Sequence, residues 1–260
     1  MNKRAGRWVL VTGASSGIGR ALAECAAADG MNVVLVARGH QTLDEVAAAL
    51  TAKYSVSAEI VLADLAQAGA AKKLIAQVKK FGIEPEYVIN NAGFGSYGMV
   101  VNGDANRYEQ MIQLNVTSVT VLSRHYAKQF KDRGQGRLLN VASTAAFLSG
   151  PGMAVYFATK AYVLHFSEAL HEELRGSGVT VTTLCPGPTK THFAEAADAE
   201  KSGIFRGKLP SAEEVARFGY ESMLNGKSVA VHGLRNRLMV QAVRFVPRTL
   251  LVRTVGRIQH

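Results

Sequence analysis

The chain has 260 residues, 48% apolar against 19% charged, the balance of one large α/β domain with a covered core and not of a disordered or collagen-like polymer. Its formal charge of +10 admits nucleic acid, an anionic membrane surface or a phosphorylated small molecule as partner, yet the charge is unevenly spread. Seven of the positive side chains (Lys227, Arg235, Arg237, Arg244, Arg248, Arg253 and Arg257) lie beyond Glu221, the last acidic residue, and leave the rest nearly balanced.

At the start, Lys3, Arg4 and Arg7 precede Trp8 to Val11, an apolar stretch too short for a signal-peptide core. No apolar run approaches the ~20 residues of a membrane span. Cys25 and Cys185 are far apart with no second pair, which argues against a disulfide framework or thiolate zinc site. A reducing, cytoplasmic setting is the expectation.

Short β-branched runs alternate with Ala-rich segments. Strands are predicted over Trp8 to Thr12, Asn32 to Ala37, Glu59 to Leu62, Tyr87 to Asn90, Arg137 to Ala142 and Val179 to Leu184. Helices are predicted over Gly19 to Ala28, Gln41 to Lys53, Ala70 to Phe81, Ala105 to Phe130 and Tyr156 to Arg175. That order is βαβ throughout, so the sheet should be parallel, doubly wound and covered on both faces. Residues 1–233 read as one catalytic domain. It includes an irregular loop from Pro186 to Pro210, a length that inside a compact domain usually serves function. Ser211 to Glu214 reads as a capping box opening another helix.

The first strand runs into Thr12-Gly13-Ala14-Ser15-Ser16-Gly17-Ile18-Gly19 and then a helix. Backbone N–H groups and a helix N-terminus converge there, a phosphate site. The spacing is Gly-x-x-x-Gly-x-Gly, and strand before with helix after turns a glycine-rich turn into a dinucleotide loop. A carboxylate at the end of the second strand would bond a ribose 2′-hydroxyl, but this chain has Ala37-Arg38. A guanidinium pairs with a 2′-phosphate in a bidentate fork, which favours NADP(H) over NAD(H).

Tyr156 and Lys160 stand four apart, one turn on one helix face. An ammonium beside a phenol favours the phenolate, so the tyrosine is expected to have a lowered pKa and to exchange protons near neutral pH.

Taken in order, these motifs resemble the short-chain dehydrogenase/reductase family from about Trp8 to about Thr191. The glycine loop, Asp64-Leu65, Asn90-Asn91-Ala92-Gly93, Asn115, Ser143, the Tyr156/Lys160 pair and Cys185-Pro186-Gly187-Pro188-Thr189-Lys190-Thr191 all fall in family sequence. Ala142 and Ala146 depart from it, standing where a serine and a glycine are frequent. The resemblance implies a Rossmann fold. It makes Tyr156 the general acid or base and Lys160 the holder of the nicotinamide ribose. Ser143 would bond the substrate oxygen, and Asn115 would position a water relaying protons from Lys160. It further implies that Gly13, Ser15, Ser16, Gly17, Ile18 and Gly19 cradle the cofactor and that Asp64 and Leu65 border the adenine. Asn91, Ala92 and Gly93 would lie at the adenosine ribose, and Pro186, Gly187, Thr189 and Thr191 beside the nicotinamide. Relatives are commonly dimers or tetramers, so a homo-oligomer is expected.

His165, Glu168 and His171 share a helix, but histidines six apart diverge, so they read as solvated residues and not as metal ligands. No histidine has a spacing that argues for a triad with Ser15, Ser16 or Ser143, so a serine hydrolase is not supported. The basic segment 234–260 admits an anionic membrane surface, a subunit contact or a helix closing the substrate pocket, with the last two favoured. Nucleic acid is least favoured. The expected activity is NADPH-driven reduction of a ketone. Phe193, Ile204, Phe205 and Leu209 hint at an apolar or lipid-like substrate. A non-catalytic NADP(H) sensor on the same fold is the alternative.

Overall fold

The computed structural model describes residues 4, 6–199 and 209–259. The expectations placed on Lys3, Ile204 and Phe205 lie outside them. Seven strands form one sheet: β1 (Trp8–Thr12), β2 (Asn32–Ala37), β3 (Ala58–Leu62), β4 (Tyr87–Asn90), β5 (Gly136–Val141), β6 (Val179–Cys185) and β7 (Val229–Val231). Their order is β3-β2-β1-β4-β5-β6-β7, parallel throughout. Strand order reverses between β1 and β4, so a crevice opens beyond the carboxyl ends of these two strands.

Alternation along each strand feeds a core on either face. Val9, Val11, Val33 and Leu35 point to helices α1 (Gly17–Ala28), α2 (His40–Tyr54) and α8 (Ala212–Leu224). Leu10, Val34 and Val36 point to α3 (Ala70–Lys80) and α5 (Val119–Arg133), where Leu74, Tyr126 and Phe130 are fully buried. The Ser211 capping box is present, with reciprocal Ser211 and Glu214 bonds.

Several boundaries differ from the sequence expectation. The segment from Ala105 is three pieces: α4 (Ala105–Ile112), a π-helical stretch (Gln113–Ser118) and α5. Period alone does not separate these, because a π bulge changes the hydrogen-bond step while helical composition continues. Helix α1 starts at Gly17, inside the glycine loop, and α6 covers Ala154–Glu173. The three-residue β7 went unpredicted, being too short to show a pattern. The long loop contains α7 (Phe193–Ala196), and the basic segment forms α9 (Leu234–Ala242) and α10 (Arg248–Gln259).

Candidate active site

The crevice is built around the end of β1. Thr12 Oγ1 accepts the backbone N–H groups of Asn91 and Ala92, each at 3.0 Å, and the Asn91 amide donates to the carbonyls of Thr12 and Gly13 at 3.0 and 3.3 Å. Gly13 and Ala14 donate their own N–H groups to Val36 O at 2.8 and 3.2 Å. The glycine loop is thereby tied to the ends of β2 and β4.

Gly13 and Gly17 have φ of +67° and +52°, backbone that side chains disfavour. A Cβ at Gly19 would strike the Gly13 carbonyl and the Asn91 amide. One at Gly17 would meet Thr191 Cγ2 at 3.1 Å. Ser16 precedes α1 without a side-chain cap, so the first N–H groups of that helix face the switch point with no capping oxygen of this residue. These features make a cradle closed to side chains and lined by backbone donors, which fits a pyrophosphate. Arg38 follows β2 and is exposed; among the described residues it has no hydrogen bond or ion pair.

Asp64 accepts from Ala66 N and Gln67 Nε2, each at 3.1 Å, which shapes the turn after β3. Leu65 is buried, and its carbonyl accepts from Ser118 Oγ at 2.8 Å. The Asn91-Ala92-Gly93 run does not stay at one end of the crevice. Asn91 bonds the glycine loop, while the Cβ position of Gly93 lies 3.0 Å from Asn115 Oδ1 and 3.4 Å from Lys160 Nζ. The run crosses the crevice, and only glycine keeps open the gap between that amide and that ammonium.

Asn115 sits in the π stretch and is buried. Its Nδ2 donates to Phe94 O at 2.9 Å and Thr159 Oγ1 at 3.1 Å, and its Oδ1 accepts from Phe94 N at 3.2 Å. The side chain therefore clamps the Phe94 backbone. Tyr156 and Lys160 share the first turns of α6, both buried. Lys160 Nζ donates to Val141 O at 2.9 Å and lies 5.8 Å from the Tyr156 ring centroid.

The expected lowering of the Tyr156 pKa is not what this environment does. Burial pushes the phenol up to about 12, against which a hydrogen bond with Ser143 acts. Lys160 falls to about 8, also by burial. The ammonium is turned to a backbone carbonyl, so desolvation wins over attraction between the two groups. Ser143 itself accepts from Ala145 N at 3.1 Å and points toward Pro186 O, 3.4 Å away.

The Pro-Gly segment closes the same side. Thr144 N donates to Pro186 O at 2.8 Å, Thr189 Oγ1 to Gly187 O at 2.9 Å, and a Cβ at Gly187 would meet Asn236 Nδ2 at 2.5 Å. Beyond the phenol is an apolar wall of Met111, Met153, Phe157, Phe193, Ala197 and Val255, with Leu251 against it. The Phe193 ring lies 5.2 Å from the Tyr156 ring, tilted by 49°. Leu251 and Val255 come from α10, so the basic tail packs on the phenol's own wall.

His171 is not a solvated residue. It is half-buried, and Nδ1 lies 2.7 Å from Val181 O on β6. His165 pairs with Glu168 at 3.6 Å on the surface. Among the described residues no cluster of histidine, cysteine or acid could hold a metal.

Sequence reading missed Thr12 as the hub, Thr159 as the partner of Asn115, and a buried polar network below the site. In that network Asn90 and Asn140, facing residues of β4 and β5, are joined at 2.8 Å, and Asn140 Nδ2 donates to Ser167 Oγ at 2.9 Å. Asn90 Nδ2 also donates to Ser123 Oγ at 3.1 Å. An asparagine ending β4 and another next to last in β5, both buried, were the available signal.

The family-level sequence profile described as short chain dehydrogenase matches residues 7–202. The chain belongs to that family. This short-chain dehydrogenase is 30% identical to a 7beta-hydroxysteroid dehydrogenase of Clostridium sardiniense over 97% of its own length and 95% of the relative's. It is 32% identical to the human very-long-chain 3-oxoacyl-CoA reductase over 73% of its length, a match spanning only 62% of that reductase. A solved 7beta-hydroxysteroid dehydrogenase structure superimposes with a TM-score of 0.85 at 29% identity, covering 98% of both chains. Two further structures both reach 0.81. One, from Sphingobium yanoikuyae with NADPH, is 30% identical and covers 92% of this chain and 94% of that one; the other, from Burkholderia phymatum with NAD, is 27% identical and covers 93% and 94%. The short-chain dehydrogenase is thus an oxidoreductase of the nicotinamide-dependent type, with the single-domain parallel sheet of its relatives.

Proposed function

We propose that this short-chain dehydrogenase reduces the carbonyl of an apolar or lipid-like ketone with NADPH. The observation that carries the reading is the buried phenol of Tyr156, one helical turn from buried Lys160 and set against an apolar wall. NADPH, when bound, supplies the hydride. Gly13, Ser15, Ser16, Gly17, Ile18 and Gly19 would hold its pyrophosphate, Arg38 its 2′-phosphate, Asp64 and Leu65 its adenine side, and Asn91, Ala92 and Gly93 the length of the crevice. Lys160 would hold the nicotinamide ribose, and Pro186, Gly187, Thr189 and Thr191 would flank the nicotinamide. The crevice cradle, closed to Cβ atoms at Gly13 and Gly19, supports this assignment.

The chain's own residues then manage the proton. Ser143 and Tyr156 receive the substrate oxygen and stabilise the charge developing on it. A phenol held near 12 is fully protonated at neutral pH, the form a reduction requires. The Tyr156 proton passes to the oxygen as the carbon is reduced, and the phenolate left behind is neutralised through Lys160. Asn115 would position a water linking Lys160 to solvent. Met111, Met153, Phe157 and Phe193 keep bulk water from the carbonyl.

The kinship with a hydroxysteroid dehydrogenase and a long-chain oxoacyl reductase supports a bulky apolar substrate. The lack of an acid at Arg38 supports NADPH over NADH. Two free cysteines agree with the cytoplasm as compartment, and assembly into a dimer or tetramer is part of the reading.

The test is a panel of ketones, from steroids to oxoacyl chains, followed by loss of NADPH absorbance. Tyr156→Phe should cut turnover by about a hundredfold or more while NADPH affinity, read by fluorescence quenching, stays within a few-fold. Wild-type turnover in that variant would sink the assignment of the acid, and no turnover on any ketone by the wild type would favour the sensor.

A further inference from the structure

We infer that the outer face of the C-terminal segment, together with the rim loop beside it, docks on an anionic phospholipid surface. Helix α10 has two unlike faces. Leu251 and Val255, four residues apart, pack toward the Tyr156 wall, and Gly256 comes close enough to Pro151 that a Cβ there would sit 3.4 Å from its ring. Leu250 and Ile258 instead reach solvent, 55% and 53% exposed, with Arg253 and Arg257 exposed on the same outer side. The same mixture precedes it: Phe245 is 87% exposed between Arg244 and Arg248.

A second exposed element lies near this helix. Gly98 N donates to Gly152 O at 2.7 Å, which sets the loop after Gly98 next to Pro151 and so next to α10. Val101 of that loop is 87% exposed. Exposed apolar tips therefore occur both on the C-terminal segment and on the loop tethered beside Pro151.

Charge selects the occupant. Residues 222–260 contain no acid and seven basic side chains. A two-fold contact between copies through this face would bring two such segments together and repel. Leu, Phe and Ile tips exposed among arginines match the boundary of an anionic bilayer, where apolar tips enter the acyl edge and guanidinium groups stay at the phosphates. Nucleic acid would give the apolar tips no partner. Among the described residues no helix is long and apolar enough to cross a membrane.

The experiment uses the full chain, sedimented with vesicles of phosphatidylcholine alone or of phosphatidylcholine with phosphatidylserine. Binding is expected only to the latter and should fall with added salt. Arg253→Gln with Arg257→Gln should weaken partition by about fivefold per arginine removed. Phe245→Ser with Leu250→Ser should weaken it at least as much with no change in charge. Both pairs are exposed, so unchanged thermal melts are expected and show that folding is not the cause. Three results overturn the inference: equal binding to neutral vesicles or none; anionic binding that neither variant pair alters; or a change in assembly mass in the variants with no vesicle binding, which would make the face a contact between copies. Retention by duplex DNA without vesicle binding also overturns it.

Discussion

Thr12 Oγ1 accepts two consecutive backbone N–H groups, those of Asn91 and Ala92, each at 3.0 Å. One hydroxyl at the end of β1 thus holds the end of β4 at the point where the sheet's order reverses. Thr12 is 2% exposed, so neither amide finds water in its place.

Thr12→Val removes that acceptor while keeping the shape. Leaving partly buried donors unpaired costs about 1–3 kcal/mol each. A melting temperature lower by several degrees and NADPH affinity reduced at least tenfold are expected, with Thr12→Ser restoring both. Differential scanning calorimetry and fluorescence titration check this; a valine variant with native melting and affinity would remove Thr12 from its role.

Arg38→Asp puts a carboxylate where the proposed 2′-phosphate would lie. NADPH affinity should drop by about a hundredfold, the loss of a charge-assisted fork plus a new repulsion, and NADH affinity should hold or improve. Parallel titrations of the two coenzymes measure the ratio. An unaltered ratio means that Arg38 is a solvated charge.

Lys160, held at about 8, and Tyr156, held at about 12, are both protonated at neutral pH. As pH rises past about 8 the lysine alone loses its proton. kcat/KM for reduction, which reports the free enzyme, should be level near neutrality and decline in one ionisation above that value. Lys160→Met should be slow at every pH and lack that limb.

The same lysine gives stability a sign. Its folded value, about 8, lies below the ordinary 10.5, so between these values the unfolded chain binds more protons and cofactor-free stability rises with pH. Burial of the Cys25 and Cys185 thiols acts with the opposite sign, so the lysine's increment is read as the difference in melting between the wild type and Lys160→Met across this window. In Lys160→Met that increment should vanish, and a wild-type slope retained by the methionine variant would assign it to another group.

Asn140→Ala breaks the network beneath the site. Asn90 and Ser167 lose a partner inside the core, and about 2–4 kcal/mol of stability should go with them. Denaturant unfolding with an unchanged slope is the measurement; a cost below about 0.5 kcal/mol would mean the pair is replaceable by packing.

The sheet's strands were legible because buried parallel strands are continuous β-branched runs, and six of seven show one. The glycine loop, the Asn-Asn-Ala-Gly run and the Tyr156/Lys160 pair were legible because each is local: a turn, a strand end, one helical turn. What failed was non-local. The π stretch at Asn115 depends on how that segment packs between Phe94 and Thr159. The half-burial of His171 depends on β6 lying against α6. The direction of the Tyr156 shift differs from the expectation for the same reason: spacing says that a lysine is one turn away, but only the fold says that Val141 O takes the ammonium and that burial dominates.

The order of residues therefore settled which family this chain joins, where the glycine loop and the Tyr156/Lys160 pair lie, and that the basic charges gather at one end, since all of these are short-range patterns along the backbone. Which groups are desolvated, where Lys160 spends its hydrogen bond, and which face of the C-terminal helix meets the phenol's wall and which meets solvent were decided only on folding. Dielectric and packing are properties of neighbours in space, and no spacing in the sequence encodes them.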